Sequence, residues 1–521
     1  MKPSTPRHLL AALLCTGATL LCVQAASAAV ASAATTTVRV SVDAKAAGSA
    51  FPHYWEQMFG SGRAVLALRD NYRKDVRLVK GVTDFRYVRF HAIFHDEVGL
   101  FDLDANGKAV YNFSYIDQIY DGLLAEGVRP LVELSFMPQK MAADPKKIFS
   151  FWYKPNVAPP SSYALWDDML DAFARHLIER YGIDEVAQWY FEVWNEPNIG
   201  FWGGEPYQPT YYELYDHSAR ALKRVNERLR VGGPSTAQAA WAGDFIKHCH
   251  DNNVPVDFVS SHVYANDTSQ DIFHNDTPVP RDQMVCRAVR KVHAEIVGSP
   301  LPKLPLIWSE FNASYMNEPN VTDSVYMASW LATTISQCDG LTEAMSYWSF
   351  SDVFEEQGVV KTPFYGGFGL VAANDIPKPA YNAFAILHHL GDTRLHTDAD
   401  STLVTRRKDG TLVLALWNYA PPDGTGAGYT PPAPPGPSKT FAIDLKGLRA
   451  GARAKLWRVD SDHGNVVSTY DAMGRPAFPS RKQLEQLRAA GKLGAPETLS
   501  VQGGKLQVSV PTHGLVVAEV R

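Results

Sequence analysis

Cysteine is scarce in this chain, with five in 521 residues. Two of them, Cys15 and Cys22, lie in an apolar N-terminal stretch. The other three, Cys249, Cys286 and Cys338, allow one disulfide at most, which excludes a fold held together mainly by disulfides. No Cys-x-x-Cys pair is present, so we expect no structural zinc site. The fold must therefore be stabilised by the packing of its core.

Concentrated basic charge and long apolar runs are also missing. The net charge is −5, and no basic stretch stands out, which argues against nucleic acid as a partner. Beyond residue 28, no segment approaches the roughly 18 to 20 continuous apolar residues that a membrane span needs. Hydrophobic residues make up 45% of the chain and charged residues 20%. This composition is typical of a globular protein.

The N-terminus has the pattern of an export signal. Lys2 and Arg7 precede an apolar stretch over residues 9–23, and Ala26-Ser27-Ala28 follows. A charged region, a short apolar core and an Ala-x-Ala site predict a signal peptide over residues 1–28. We therefore expect an exported protein, either periplasmic or secreted. The sequence leaves that choice and the oligomeric state open.

Eight strand-like runs alternate with helix-like runs across residues 51–390. The helical pattern is clearest over residues 115–126, 163–181 and 211–228. Strands that alternate with helices pair in parallel through right-handed crossovers, and eight such units predict a (β/α)₈ TIM barrel. The eight strands are predicted at 54–59, 85–91, 129–136, 189–195, 230–235, 256–264, 304–310 and 344–351.

The pattern changes after residue 390. Short alternating runs separated by glycine-rich turns predict an antiparallel, all-β accessory domain over residues 391–521, most simply a β-sandwich. A further strand within residues 36–50 is expected to join this sandwich from the other end of the chain. Residues 429–437 form a proline-rich loop inside the domain, for which we expect no chemical role.

Two strands of the predicted barrel end in a glutamate. The aromatic run 189–195 is followed by Glu196, and the apolar run Leu306-Ile-Trp-Ser leads to Glu310. Functional side chains of a TIM barrel lie at the C-terminal ends of its strands, so these two carboxylates should face each other across the barrel mouth. Two opposed acids are what glycoside hydrolysis requires. A salt-bridged glutamate at a strand end is the alternative for either residue taken alone.

The chain resembles glycoside hydrolase family 39, and within it the bacterial β-xylosidase branch. The resemblance runs from about residue 53 to 379, with Asn-Glu-Pro at 195–197 and Phe-Ser-Asp-Val-Phe-Glu-Glu at 350–356 as its most informative motifs. The loop at 261–267 departs from the family pattern after its histidine. The matching segments are 60–63, 89–91, 136–138, 191–198, 255–260, 310–315, 347–356, 366–370 and 376–379.

The resemblance implies a retaining mechanism, with Glu196 as general acid and base and Glu310 as nucleophile. It implies that Asn195 contacts the sugar 2-hydroxyl, that Glu355 and Glu356 hold pentose hydroxyls, and that no cofactor or metal takes part. The substrate contacts that it implies are His91, Phe136, Asn195, His262, Tyr315, Trp348, Glu355 and Glu356.

Taken without the resemblance, these residues have plainer interpretations. Asn195 could simply form the turn before Glu-Pro. Glu355 and Glu356 are also typical of a solvated charge pair on a loop, and Trp348 is typical of a core residue. The histidines at strand ends could be satisfied structural residues.

The expected function is the release of xylose from the non-reducing ends of xylo-oligosaccharides. An α-L-arabinosidase or mixed pentosidase is the first alternative, because pentoses differ only in the placement of hydroxyl groups. An α-L-iduronidase-like enzyme would need a cationic group for its substrate's carboxylate, and Glu355 with Glu356 would repel that substrate. A non-catalytic carbohydrate-binding barrel is the alternative from a different class.

Overall fold

The structure is a computed structural model that describes residues 36–432, 436–449 and 451–521. The predicted signal peptide lies outside the described residues. Among the helices of the described part, none has the length and apolar character needed to cross a membrane.

Eight parallel strands form a closed barrel, as the sequence predicts. Each pairs with the next along the chain, and the last pairs with the first. In chain order they are β1 Met58–Gly60, β2 Tyr87–Phe90, β3 Arg129–Glu133, β4 Tyr190–Glu192, β5 Arg230–Thr236, β6 Phe258–Tyr264, β7 Leu306–Asn312 and β8 Ala344–Tyr347.

Helices connect the strands around the outside of the barrel. Tyr163–Tyr181 illustrates why they form: Trp166, Leu170, Phe173 and Leu177 recur at helical spacing on its buried face. The α-helices of this part of the chain are Asp70–Lys80, Ser114–Ala125, Tyr163–Tyr181, Ile183–Val186, Tyr207–Val225, Ala242–Asp251, Ser269–Phe273, Arg281–Val297, Pro319–Thr322, Tyr326–Cys338 and Pro379–Leu387. Two short 3₁₀ helices are Ala64–Leu68 and Ala237–Ala239, and two small hairpins pair Phe101–Leu103 with Ala109–Tyr111 and Val371–Ala372 with Ile376–Pro377.

The barrel interior has an apolar layer below a charged layer. Side chains alternate between the two faces of a strand, so residues two apart point the same way. Tyr87, Leu131 and Tyr190 belong to the apolar cluster at the N-terminal end of the barrel, together with residues of β1, β6, β7 and β8. Two residues further along their strands stand Arg89, Glu133 and Glu192, which are fully or almost fully buried. These charged groups therefore underlie the C-terminal mouth of the barrel.

Two β-sheets share a second core outside the barrel. This core packs Val40, Phe441 and Val508 of one sheet against Leu414 and Val516 of the other. The smaller sheet contains Thr36–Asp43, Lys439–Lys446 and Lys505–Val510. The larger contains, in spatial order, Gly48–Ala50, Thr393–Leu395, Thr402–Arg406, Leu412–Trp417, Leu515–Val520, Arg453–Val459 and Glu497–Ser500.

The second domain departs from the all-β, antiparallel expectation in two ways. Its N-terminal strand Thr36–Asp43 pairs in parallel with Lys439–Lys446. It also contains two α-helices, Val466–Ala472 and Arg481–Ala490. The second helix begins with a capping box in which Ser480 and Gln483 bond each other's backbone, a sequence signal for a helix start.

The structure settles which cysteines pair. Cys286 of the helix Arg281–Val297 is joined to Cys338 of the helix Tyr326–Cys338. Cys249 is a buried free thiol. The disulfide links two consecutive long helices on the outside of the barrel.

Candidate active site

A fully buried arginine occupies the centre of the barrel mouth. Arg89 of β2 binds Glu192 and Glu310 through Nε and Nη1, at 2.6 Å in each case. Its Nη2 lies 2.7 Å from Glu133 and donates to Asn195 at 2.9 Å. Burial lowers the pKa of Arg89, but the surrounding carboxylates raise it above its ordinary value overall. The guanidinium is therefore a permanent positive charge that orients side chains from three other strands.

Both carboxylate oxygens of Glu310 are engaged. Oε1 accepts from Arg89 at 2.6 Å, and Oε2 accepts from the Tyr264 hydroxyl at 2.6 Å. Burial raises the pKa of Glu310 above its ordinary value overall, but Arg89, His91 and the Tyr264 hydroxyl lower it, so the increase is smaller than that of Glu196. A carboxylate that accepts from a cation and a phenol is held in its charged form and in a fixed orientation.

Among the residues that the structure describes, no lysine or arginine contacts Glu196. It is fixed mainly by backbone geometry, because Trp194 and Glu196 adopt φ values of 69° and 43°, which are uncommon for residues other than glycine. Its Oε1 lies 3.0 Å from Nδ1 of His262. Burial and then the negative charges of Glu310 and Asp267 raise the pKa of Glu196 well above its ordinary value. Glu196 is therefore the member of the pair that keeps its proton.

The two glutamates are close together. One oxygen of Glu196, one oxygen of Glu310 and a ring nitrogen of His262 lie within 4.8 Å of one another. Carboxyl groups about 5 to 5.5 Å apart allow one to attack the sugar directly, whereas inverting enzymes separate them by about 6.5 to 9.5 Å to admit a water. The arrangement therefore fits a protonated acid facing an ionised nucleophile.

Glu196, His262 and Glu310 are also donor types that a divalent metal ion uses. The Arg89 guanidinium, 2.6 Å from Glu310, already supplies the positive charge at this place, and it would repel a second cation. Elsewhere in the described residues, His53 and His388 meet Glu56, but the Nδ1 atom of each ring contacts the same buried carboxylate at 2.5 and 2.8 Å. Contacts this short between the donors themselves are hydrogen bonds that satisfy Glu56.

A cavity of about 320 Å³ lies above the two glutamates. Seven of the ten predicted site residues line it: His91, Asn195, Glu196, Glu310, Tyr315, Trp348 and Glu356. The remaining lining residues are Phe151, Ile199, Phe201, Ala237, Gln238, Tyr264, Asp267, Gln357 and Phe368.

The other three predicted site residues do not line this cavity, although Glu355 lines an adjacent cavity of about 310 Å³ that shares Glu356, Gln357 and Phe368 with it. Phe136 is fully buried and packs edge-on against Trp194, with ring centroids 5.5 Å apart. His262 is also fully buried, and its Nε2 contacts Ser235 and Ser309 at 3.2 and 3.1 Å. A direct substrate contact for these two residues stays a prediction. In the structure, both residues contact other protein side chains.

Glu355 and Glu356 occupy different electrostatic surroundings. Glu355 forms ion pairs with Arg69 and, at 3.2 Å, with Arg63. Burial raises the pKa of Glu355, but the two arginines bring it below its ordinary value. Glu356 lies 3.6 Å from His91 and lines the cavity, and burial, together with the charges of Glu310 and Glu133, raises its pKa to about 8.

This difference determines whether Glu355 and Glu356 repel a sugar that carries a carboxylate. A pKa of about 8 favours the protonated form of Glu356 at neutral pH, in which it can donate a hydrogen bond. The charge of Glu355 is compensated by Arg63 and Arg69. The pair therefore does not repel a sugar carboxylate as two free negative charges would. The described residues of the lining include no lysine or arginine that could pair with a sugar carboxylate.

Trp348 forms one wall of the cavity and needs a glycine beneath it. A Cβ atom on Gly60 would lie only 2.0 Å from Cε3 of Trp348. The ring is 3% exposed and lies 4.8 Å from the His91 ring. This close approach requires glycine at position 60 of the Gly-Ser-Gly-Arg segment 60–63. The same segment carries Arg63, which forms an ion pair with Glu355.

Two residues that contact Glu310, Arg89 and Tyr264, are not among the site residues predicted from the sequence. The sequence does indicate a role for Arg89, because a charged residue inside the apolar run 85–91 needs buried partners. Tyr264 ends the predicted strand 256–264, but the departure of the 261–267 loop from the family pattern left its contacts undefined. Its bond to Glu310 depends on the register between β6 and β7, which shifts between Ser261 and His262.

Comparison with known proteins adds independent findings. The sequence model described as "Glycosyl hydrolases family 39" matches residues 38–505. A β-xylosidase from Geobacillus stearothermophilus is 38% identical over 450 residues, which cover 84% of this chain and 86% of that one. A β-xylosidase from Caldicellulosiruptor saccharolyticus is 35% identical over 453 residues, or 84% of this chain and 88% of that one. The crystal structure of a monomeric β-xylosidase from Caulobacter crescentus CB15 matches with a TM-score of 0.83 and 33% identity, covering 94% and 99% of the two chains.

Replacing Tyr264 by phenylalanine tests the asymmetry of the two glutamates. The Tyr264 hydroxyl lowers the pKa of Glu310, so its loss raises that pKa. The acid limb of the pH profile of kcat/KM should therefore move to higher pH, and kcat should fall about 10- to 100-fold, as expected for a lost hydrogen bond to a charged group. An aryl glycoside assayed from pH 4 to 9 measures both. An acid limb that stays in place would show that Tyr264 does not control the ionisation of Glu310.

Proposed function

Because this chain belongs to glycosyl hydrolase family 39, we propose that it is a retaining, exo-acting β-xylosidase that releases xylose from the non-reducing ends of xylo-oligosaccharides. The enzyme is a glycoside hydrolase. The observation that carries the proposal is the pair of buried glutamates, one oriented by a cation and one not, within 4.8 Å of each other at the cavity floor. The two β-xylosidase relatives, which match along most of their length, support xylose as the sugar.

The proposed first step uses the two glutamates together. Glu310, ionised beside Arg89, attacks the anomeric carbon, while Glu196 gives its proton to the leaving glycosidic oxygen. The bond to the leaving group breaks as the ester bond to Glu310 forms. In the second step a water attacks the anomeric carbon, Glu196 takes a proton from that water, and the Glu310 carboxylate leaves. Xylose is released with its anomeric configuration retained.

Asn195 is placed to assist both steps. Its Oδ1 accepts from Arg89 at 2.9 Å, which orients the amide so that Nδ2 is the remaining donor. Asn195 lines the cavity beside Glu196. We propose that Nδ2 donates to the 2-hydroxyl of the sugar, a bond that strengthens as positive charge develops on the ring.

The remaining lining would bind the sugar. We propose that Glu356 donates a hydrogen bond to a pentose hydroxyl at neutral pH, and that Trp348 and Tyr315 present aromatic faces to the substrate. Glu355, which is tied to Arg63 and Arg69, would then hold the loop rather than the sugar. Activity on α-L-arabinosides is the second candidate, since the lining has no feature that separates pentoses by charge.

We also propose how the chain is divided and where it acts. Residues 1–28 would be a signal peptide, 51–390 the catalytic barrel, and 391–521, joined by the strand within 36–50, an accessory β-sandwich. Export, to the periplasm or to the medium, is supported by the N-terminal pattern and by the Cys286–Cys338 disulfide, because disulfides persist in oxidising compartments.

Alanine variants of the two glutamates separate their roles. Glu310→Ala should nearly abolish hydrolysis of every xyloside, because the nucleophile is gone. Glu196→Ala should reduce kcat/KM about 10²- to 10⁴-fold for xylobiose, whose leaving group needs protonation, and far less for dinitrophenyl xyloside. Steady-state kinetics on both substrates measure the split.

The matched control for this pair is Glu205→Ala, an exposed glutamate in the loop that follows Glu196. It should leave both substrates unaffected. Equal losses across leaving groups in Glu196→Ala would contradict its role as acid. Proton NMR follows the anomeric configuration of the first-formed product. An inverted configuration would exclude Glu310 as a nucleophile.

A panel of aryl glycosides tests the choice of sugar. We expect the highest kcat/KM for the β-xyloside, with measurable activity on the α-L-arabinoside. The α-L-iduronide should be cleaved at least about 100-fold less well, because the described lining residues include no lysine or arginine to pair with its carboxylate, and His91 is already paired with Glu133. Faster cleavage of the iduronide than of the xyloside would refute the assignment. Sugar binding without cleavage of any glycoside would favour a carbohydrate-binding barrel.

A further inference from the structure

A buried lysine joins the two loops that follow β7 and β8. The ammonium of Lys378 lies 2.7 Å from Asp323 and 2.8 Å from Asp352. It also donates to the carbonyl oxygen of Gly367 at 2.8 Å. Lys378 is completely buried, and these three acceptors satisfy its three N–H donors. The proposed chemistry uses none of these groups.

The two aspartates also hold backbone from a glycine-rich segment. The backbone N–H of Gly366 donates to Asp323 at 2.6 Å, and that of Gly369 donates to Asp352 at 2.7 Å. A Cβ atom on Gly367 would lie 2.3 Å from Oδ1 of Asp352. The segment can therefore approach Asp352 only because it lacks a side chain there.

The segments that this cluster fixes both line the catalytic cavity. Asp352 precedes Glu356 by four residues in the loop after β8. The glycine-rich segment carries Phe368, which lines the cavity as Glu356 does. Between them, Phe354 packs edge-on against Trp348 and Phe368, with centroids 5.6 and 5.4 Å away. A shift of Asp352 is thus transmitted directly to the cavity wall.

We propose that Lys378 is a positioning residue for substrate recognition: by bridging Asp323 and Asp352, it sets the place of the Glu356 carboxyl group in the cavity. This inference rests on the proposed function in one respect, namely that Glu356 contacts the sugar. Lys378 itself touches no substrate. It acts through the loop, and its effect belongs to substrate binding more than to the chemical step.

Charge burial of this kind favours a positional role. Buried ion pairs contribute little net stability compared with well-packed apolar residues, and in some proteins they specify how the groups that they join are arranged. Here one ammonium fixes two separate loops, one following the strand of Glu310 and the other carrying Glu356. Removing one charge of the cluster should therefore misplace Glu356.

A double-mutant cycle between Asp352 and Glu356 tests the proposal. Asp352→Asn keeps the size of the side chain but removes the charge that faces Lys378. Alone it should lower kcat/KM about 10- to 100-fold, mainly through KM, as expected for a displacement near 1 Å. In the Glu356→Gln background the same change should cost less than about 2-fold, because the group that it positions has already lost its function. Thermal unfolding confirms that each variant is folded.

Two further variants keep the test decisive. Asp323→Asn removes the other partner of Lys378, and it replaces Asp352→Asn in the cycle if the latter does not fold. Asp257→Asn is the matched control: it breaks an aspartate–lysine pair with Lys223, 2.9 Å apart, at the opposite end of the barrel. It should leave kcat/KM unchanged in both backgrounds.

If Asp352→Asn lowered kcat/KM equally in the wild-type and Glu356→Gln backgrounds, the cluster would only stabilise the fold. That result would overturn the proposal. An unaltered kcat/KM in Glu356→Gln alone would also overturn it, since no recognition would then pass through Glu356. The cycle is measured on whichever aryl glycoside the wild-type enzyme cleaves best. Failure of the xylose assignment would therefore appear in the glycoside panel and leave this test intact.

Discussion

The ion cluster around Arg89 is the constraint on which the catalytic site depends. One guanidinium, wholly buried, faces Glu133, Glu192 and Glu310, and it also orients Asn195. Removing one partner from such a cluster costs about 3 to 5 kcal/mol, because an unpaired charge is left inside the protein. The cost opposes any folded state in which the cluster is broken. Arg89 lowers the pKa of Glu310, which therefore stays below that of Glu196, where among the described residues no lysine or arginine is in contact.

The fold produces this separation from a simple alternation along the strands. The apolar layer of Tyr87, Leu131 and Tyr190 closes the lower part of the barrel. Two residues further along the same strands, the charged layer begins. Loops then complete the site: the strained turn at Glu196, the wall at Trp348, and the Glu356 loop fastened through Lys378. Strands thus hold Arg89 and Glu310, whereas the turn after β4 places Glu196 and the loop after β8 brings Glu356 to the cavity.

Much of this could be predicted from the sequence, and the failures have physical reasons. Hydrophobic periodicity located all eight barrel strands, and the rule that strand ends carry function brought Glu196 and Glu310 together. Tyr264 was missed because its contact depends on an irregular register. Glu355 and Glu356 look equivalent in sequence, but of the two only Glu355 forms ion pairs with Arg63 and Arg69, almost 300 residues away along the chain. Contacts between distant segments cannot be inferred from local pattern.

We expect Glu196 to be protonated and Glu310 to be ionised in the free enzyme at neutral pH. This can be tested directly by ¹³C NMR of enzyme labelled at the glutamate side-chain carboxyls, with signals assigned through Glu196→Gln and Glu310→Gln. The Glu196 carboxyl should titrate well above the Glu310 carboxyl, which should remain ionised near neutral pH. The reverse order, or two carboxyls that titrate together near the ordinary value for glutamate, would contradict this expectation.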